Sequence, residues 1–244
     1  MNMSIYSIEI DKGKVIQVEL VRKNVKNINL TIRPDLTIFV SAKPTLPMES
    51  IEEYIKSKSS WIVKRIGRFK ATKSVNTISH EYVSGESYKF LGKQYRLDLE
   101  LTASSERVML TDGYIKLFVK NKNKKTTKSR LMDEWYRKQA KTIFEDSLDR
   151  IYTIIEPYIN KKPTMDFKVM KKRWGSCLRS KNMILLNLEL IKAPMYCIDY
   201  VVLHELVHFI HRNHDAKFYE MLTVLMPDWK QRKEILDEEI VLFI

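Results

Sequence analysis

Along the first forty residues, apolar and polar side chains alternate in the two-residue rhythm of half-buried strands. Ile5-Tyr6-Ser7-Ile8-Glu9-Ile10 breaks at Asp11-Lys12-Gly13, and Val15 to Val21 resumes the pattern. Ile28 to Ile32, the turn formers Pro34-Asp35, and Thr37 to Val40 repeat it, so two hairpins are predicted. The period then lengthens. From Met48 to Phe69, Ile51, Ile55, Trp61, Ile62, Val63, Ile66 and Phe69 form one apolar side of a predicted helix. Alternation returns between Tyr82 and Val119, with turns marked by Gly92-Lys93 and Asp112-Gly113 and inward positions at Tyr88, Phe90, Tyr95, Leu97, Leu99 and Leu101.

Lys120 to Arg130 is basic and aperiodic, which reads as a solvated linker and the most readily cleaved internal segment. It places a domain boundary between a β-rich region, 1–122, and a second domain, 123–244. A long helix follows from Leu131 to Tyr158, stopped by Pro157, with Leu131, Trp135, Ala140, Ile143, Phe144, Leu148, Ile151, Ile154 and Ile155 buried. Short strands are expected at Met165 to Met170 and Met183 to Leu188. Ala193-Pro194 then leads into a helix that is apolar on most of its surface, with Pro194 in its first turn. Phe218, Leu222 and Leu225 continue helically to Met226-Pro227, and a last helix from Asp228 carries Trp229, Ile235, Leu236 and Ile240. The fold class is therefore α+β: an N-terminal β-rich region with a helix, then a helical domain with a small sheet.

The apolar helix contains His204-Glu205-Leu206-Val207-His208, an H-E-x-x-H motif. Residues four apart on a helix lie about 40° apart around its axis, so both imidazoles can reach one metal ion. Glu205 then stands beside the site, where it can take a proton from an activated water. Burying a carboxylate and two imidazoles without partners is costly, and a metal supplies the partner. Four of the five histidines, His204, His208, His211 and His214, fall in this short region. The best third ligand is His214, reached if the helix ends after His208, with Asn213 at a left-handed cap and Asp215 capping the next helix. His211 diverges from the His204 side, and Glu220 lies well into the following helix.

The 244 residues, 44% hydrophobic and 30% charged, suit one or two globular domains. A net charge of +13 is compatible with an anionic substrate or nucleic acid, and equally with a basic surface that binds neither. Cys177 and Cys197 are not in a C-x-x-C pair and read as free thiols of a reducing compartment. No signal peptide or membrane-length apolar run is present in the sequence, so a cytoplasmic protein without membrane contact is expected. With six glycines, the chain shows no nucleotide-binding glycine loop.

The sequence resembles the YgjP-like metallopeptidase-domain family. The resemblance is carried by Arg173-Trp174-Gly175-Ser176-Cys177, Asn187-Leu188-Glu189-Leu190-Ile191, Ala193-Pro194, and Ile198-Asp199-Tyr200-Val201-Val202 leading into the H-E-x-x-H motif. Asn213-His214, Phe218 and Met226-Pro227-Asp228 extend it. Upstream, Ile32-Arg33-Pro34-Asp35, Val40-Ser41-Ala42 and Lys58-Ser59-Ser60-Trp61-Ile62 do the same. The resemblance implies a zincin-like second domain in which His204, His208 and His214 bind zinc and Glu205 is the general base, acting on a peptide or protein substrate. The ligand spacing is also similar to that of metzincins, but His211 stands where they place a turn glycine. Two other classes share these residues: a zinc-dependent phosphohydrolase acting on nucleotides or other anions, and a nucleic-acid- or protein-binding module with structural zinc. The second has no need of Glu205. Arg173 to Cys177 belongs either at a cleft rim or to a structural turn.

Overall fold

Strands β1 (Met3–Asp11) and β2 (Lys14–Arg22) form an antiparallel hairpin, and β3 (Asn29–Ile32) pairs antiparallel with β4 (Ile38–Ala42). The predicted alternation holds: Ile16, Val18 and Leu20 of β2 are buried while Gln17 is exposed. The two hairpins join through a parallel β2–β4 pair, giving the order β1-β2-β4-β3. This is the computed structural model of the chain, and it describes residues 3–11, 13–32, 36–76, 80–171 and 173–239. Lys12, the Pro34-Asp35 turn and Ile240 lie outside the described residues.

The helix expected over Met48 to Phe69 is two helices, α1 (Met48–Ser57) and α2 (Ser59–Asn76), broken at Lys58, whose φ of −102° and ψ of 9° leave the helical path. Ile51, Ile55 and Ile62 are buried, but Trp61 and Val63 are 46% and 37% exposed. The break resets the phase of the apolar stripe, which a single period carried across Lys58 cannot follow.

The chain divides into two compact units at 79/80 rather than at 122/123. The second β-rich stretch belongs with the helices that follow it, because its apolar face packs on them. Strands β5 (Ser87–Phe90), β6 (Lys93–Leu101), β7 (Arg107–Thr111) and β8 (Tyr114–Val119) repeat the plan of two hairpins with a parallel centre, in the order β5-β6-β8-β7. Tyr88, Phe90, Leu97, Leu99, Ile115 and Leu117 enter the same core as Trp135, Phe144, Ile184 and the apolar residues of the H-E-x-x-H helix. Leu101, expected inward, is 63% exposed at the end of β6.

The basic segment is not a free linker. Helix α3 (Lys125–Ile155) begins inside it. Lys128 is 4% exposed, and its Nζ donates to the carbonyls of Glu81 (2.9 Å) and Tyr82 (3.0 Å). The aliphatic stem enters the core edge while the ammonium finds backbone acceptors, an option that charge counting does not reveal. Helix α3 ends before Pro157 as expected, although Ile154 is 41% exposed.

Strands β9 (Thr164–Lys168), β10 (Gly175–Leu178) and β11 (Met183–Asn187) form a small sheet in the order β10-β11-β9, with β10 at an edge. Helices α4 (Met195–Val207), α5 (Ala216–Leu225) and α6 (Trp229–Glu239) complete the unit, and Pro194 stands one residue before α4, at its N-cap. Among the described residues no helix is long and apolar enough to cross a membrane.

Candidate metal centre and active site

Helix α4 is surrounded: α3, α5, α6, β10 and β11 all touch it. Nine of its thirteen residues are buried, Glu205 among them. Its polar residues therefore need internal partners. Asp199 finds them on α3, where Ser147 Oγ and Arg150 Nη2 each donate to its Oδ1 at 2.6 Å. At the start of α4 the β5–β6 turn is seated on the chain, with the amides of Leu91 and Gly92 donating to the carbonyls of Ile191 and Lys192, both at 3.0 Å.

After His208 the chain tightens rather than reversing through a left-handed residue. Ile210 and His211 donate to the Val207 carbonyl, and Asn213, expected at a left-handed cap, has no positive φ. The next expectation holds: Asp215 Oδ1 accepts from the Phe218 amide at 3.0 Å and starts α5. Consecutive 3₁₀-like turns suffice to swing His214 back over α4.

This path brings the ring nitrogens of His204, His208 and His214 within 4.8 Å of one another. His204 Nε2 and His214 Nε2 are 2.9 Å apart. Phe218, fully buried, forms the floor, its ring centroid 4.7–5.0 Å from all three imidazoles. His208 Nδ1 lies 3.1 Å from the His211 carbonyl oxygen, which can only accept. Nδ1 must then carry a hydrogen, which leaves Nε2 as the nitrogen that can turn to a metal. His211 thus acts through its backbone, and the exposed Glu220 lies outside the cluster.

Burial first, then the neighbouring His208 and His214, pushes the His204 pKa down to about 3, so the ring is neutral. Its buried Nδ1 has no hydrogen-bond partner among the described residues. Three imidazoles with converging nitrogens, two of them 2.9 Å apart, fit a divalent cation that accepts nitrogen donors.

Glu205 lies beside this cluster and is 6% exposed. Burial raises its pKa to about 7, against the opposing effects of the Cys177 backbone amide, which donates to it, and of the Arg173 charge. Glycine is required at 175 for space: a Cβ there would stand 2.6 Å from Glu205 Oε1 and 2.9 Å from its Cδ. The loop before β10 is held by the fully buried Asn187. Its Nδ2 donates to the carbonyls of Met170 (2.8 Å) and Arg173 (3.0 Å), while its Oδ1 accepts from the amides of Met170 and Glu189. Arg173 to Cys177 is thus at once a braced turn and a wall of the cleft. That cleft, about 520 Å³, is bounded by β10, α4 and α6 and has the histidines at its base. The Cys177 thiol, pushed up to about 11 mainly by burial and then by the Glu205 charge, is neutral and suits no nucleophilic role. Sequence reading missed the space demand at Gly175, the His211 carbonyl and the bracing by Asn187. The quoted motifs contain Gly175 and Asn187, but only their spatial neighbours reveal what they do.

Three imidazoles beside a buried carboxylate, at the base of an open cleft, form the kind of site that metal-dependent hydrolases use. Residues 26–239 match the YgjP-like family, metallopeptidase domain, and the chain belongs to that family. It is therefore placed among metal-dependent hydrolases of the peptidase class. Among solved structures, the chain is similar to the metallopeptidase zymogen jannalysin of Methanocaldococcus jannaschii, at 24% identity over 40% of this chain and 90% of that one, with a TM-score of 0.34. It is also similar to the metallopeptidase zymogen abylysin of Pyrococcus abyssi, at 21% identity over 38% of this chain and 89% of that one, with a TM-score of 0.34. No curated protein matches it.

Proposed function

We propose that the protein is a zinc-dependent metallopeptidase in which His204, His208 and His214 hold the metal and Glu205 is the general base. The observation that carries this reading is the convergence of three imidazoles beside a carboxylate buried at the base of an open cleft. Bound zinc would lower the pKa of a water towards about 7 and polarise the scissile carbonyl. Glu205, with a pKa near neutrality, accepts the proton of the attacking water and returns it to the leaving amine. The Cys177 amide and the close wall at Gly175 hold the carboxylate in one orientation. His211, through its carbonyl, fixes the tautomer that turns His208 Nε2 to the metal. A purely structural zinc would leave Glu205 without a task.

The test is Glu205→Gln, which keeps the shape of the side chain and removes its basicity. The variant is expected to bind one zinc per chain, as the parent does, and to lose roughly two to four orders of magnitude in peptide hydrolysis. His204→Ala is expected to lose the metal. Equal turnover by parent and Glu205→Gln rules out the base, and full zinc content in His204→Ala rules out the site.

A further inference from the structure

The walls of the cleft carry Arg173, Arg179, Arg212 and Lys233 against two carboxylates, Glu205 and Asp237. Lys233 Nζ is 2.7 Å from Asp237 Oδ2, so that pair is internally balanced. Glu205 is enclosed at the base. Among the described residues Arg173, Arg179 and Arg212 form no ion pair; Arg173 donates only to Ser176 Oγ, at 3.3 Å. All three are exposed. Elsewhere in this unit Arg130 pairs with Glu134, Arg137 with Asp133 and Arg150 with Asp199, while the exposed Arg96 and Arg107 donate to the carbonyls of Gly85 and Ser105. The cleft thus concentrates positive charge that the protein does not itself neutralise.

The placement of these arginines narrows the ligand. Arg173 and Arg179 flank the edge strand β10, whose residues Gly175 to Cys177 line the cleft. The four-residue strand between them rises on the order of 10 Å, the span of three or four extended residues. Arg212 reaches the cleft from the segment after α4. Charges spread along a strand match negative groups spaced along an extended chain better than they match one compact anion. A guanidinium also binds a carboxylate through two parallel hydrogen bonds.

We infer that the cleft selects peptides bearing acidic side chains on both sides of the scissile bond, with Arg173, Arg179 and Arg212 as the specificity-determining residues. This rests on the peptidase reading of the same site. An exposed charge pair changes affinity by up to about fivefold, so two acidic residues contribute on the order of tenfold.

The experiment measures binding and cleavage separately. Labelled peptides that differ only in Glu, Gln or Lys at two positions on either side of the centre are titrated into the full-length, zinc-supplemented Glu205→Gln protein, and anisotropy is read. The Glu peptide is expected to bind about tenfold more tightly than its Gln isostere, with the gap narrowing as salt screens it. Arg179→Gln and Arg212→Gln each reduce the gap, Arg179→Lys keeps most of it, and Arg179→Glu shifts preference to the Lys peptide. Equal binding of the Glu and Gln peptides overturns the inference. So does failure of every peptide to bind, or displacement of the Glu peptide by inorganic pyrophosphate at concentrations below the peptide's own Kd. Cleavage of the Gln peptide by the parent scores the peptidase reading independently: cleavage without charge preference overturns only the selectivity, and charge-selective binding without cleavage overturns only the peptidase reading.

Discussion

At Gly175 the nearest atoms to a hypothetical Cβ are Oε1, Cγ and Cδ of Glu205, all within 2.9 Å, so any side chain there displaces the carboxylate. With Glu205 as the proposed base and zinc as the proposed metal, Gly175→Ala is expected to keep the metal while hydrolysis falls about tenfold to a hundredfold, since misplacing a catalytic group by an ångström costs that much. Zinc content and turnover measured on one preparation check this, and unchanged turnover would mean that Glu205 repositions without loss. The contrast with His204, Glu205 and His208 is instructive. Their relation follows from the helical repeat alone, and so could be read directly from the sequence. Gly175 and Glu205 are thirty residues apart in the chain, and neither their contact nor the hydrogen bond from His208 to the His211 carbonyl follows from any local repeat.

At the scale of elements, the first turns of α3 depend on Lys128. Its ammonium satisfies the backbone carbonyls of Glu81 and Tyr82 in the segment ahead of β5, and Tyr82 Oη returns a hydrogen bond to Ser129 Oγ at 3.0 Å. Lys128→Met keeps the aliphatic stem and leaves both carbonyls without their donor. A loss of about 1–3 kcal/mol is expected, seen as a lower urea midpoint with an unchanged slope. An unchanged midpoint would show that water replaces the ammonium without cost. Reading this segment as a linker was wrong because a run of lysines carries no apolar period, while one lysine can be buried through its stem. The hairpins, by contrast, were readable: alternation and the Asp112-Gly113 turn are local signals. The parallel β2–β4 and β6–β8 pairings that unite them join strands distant in sequence and leave no such signal.

For the whole molecule, the histidine cluster lies entirely within the second unit, at the C-terminal end of α4 and just ahead of α5. A metal that binds only the folded site stabilises that unit, by about 2.7 kcal/mol at a hundredfold excess over Kd. Chelation is thus expected to lower the protection of α4 and α5 amides in hydrogen exchange and to leave β1 to β4 unchanged. Equal deprotection of both units would overturn that division of stability. The sequence by itself determined the α+β class, the hairpins, the apolar helix and the two histidines with their glutamate, because each is written in a local period or spacing. Tertiary structure decided the boundary at 79/80, the return of His214, the fit of Gly175 against Glu205 and the gathering of unpaired arginines around one cleft. The physical reason is that these depend on which distant surfaces bury one another, and burial, unlike periodicity, is a property of the folded chain.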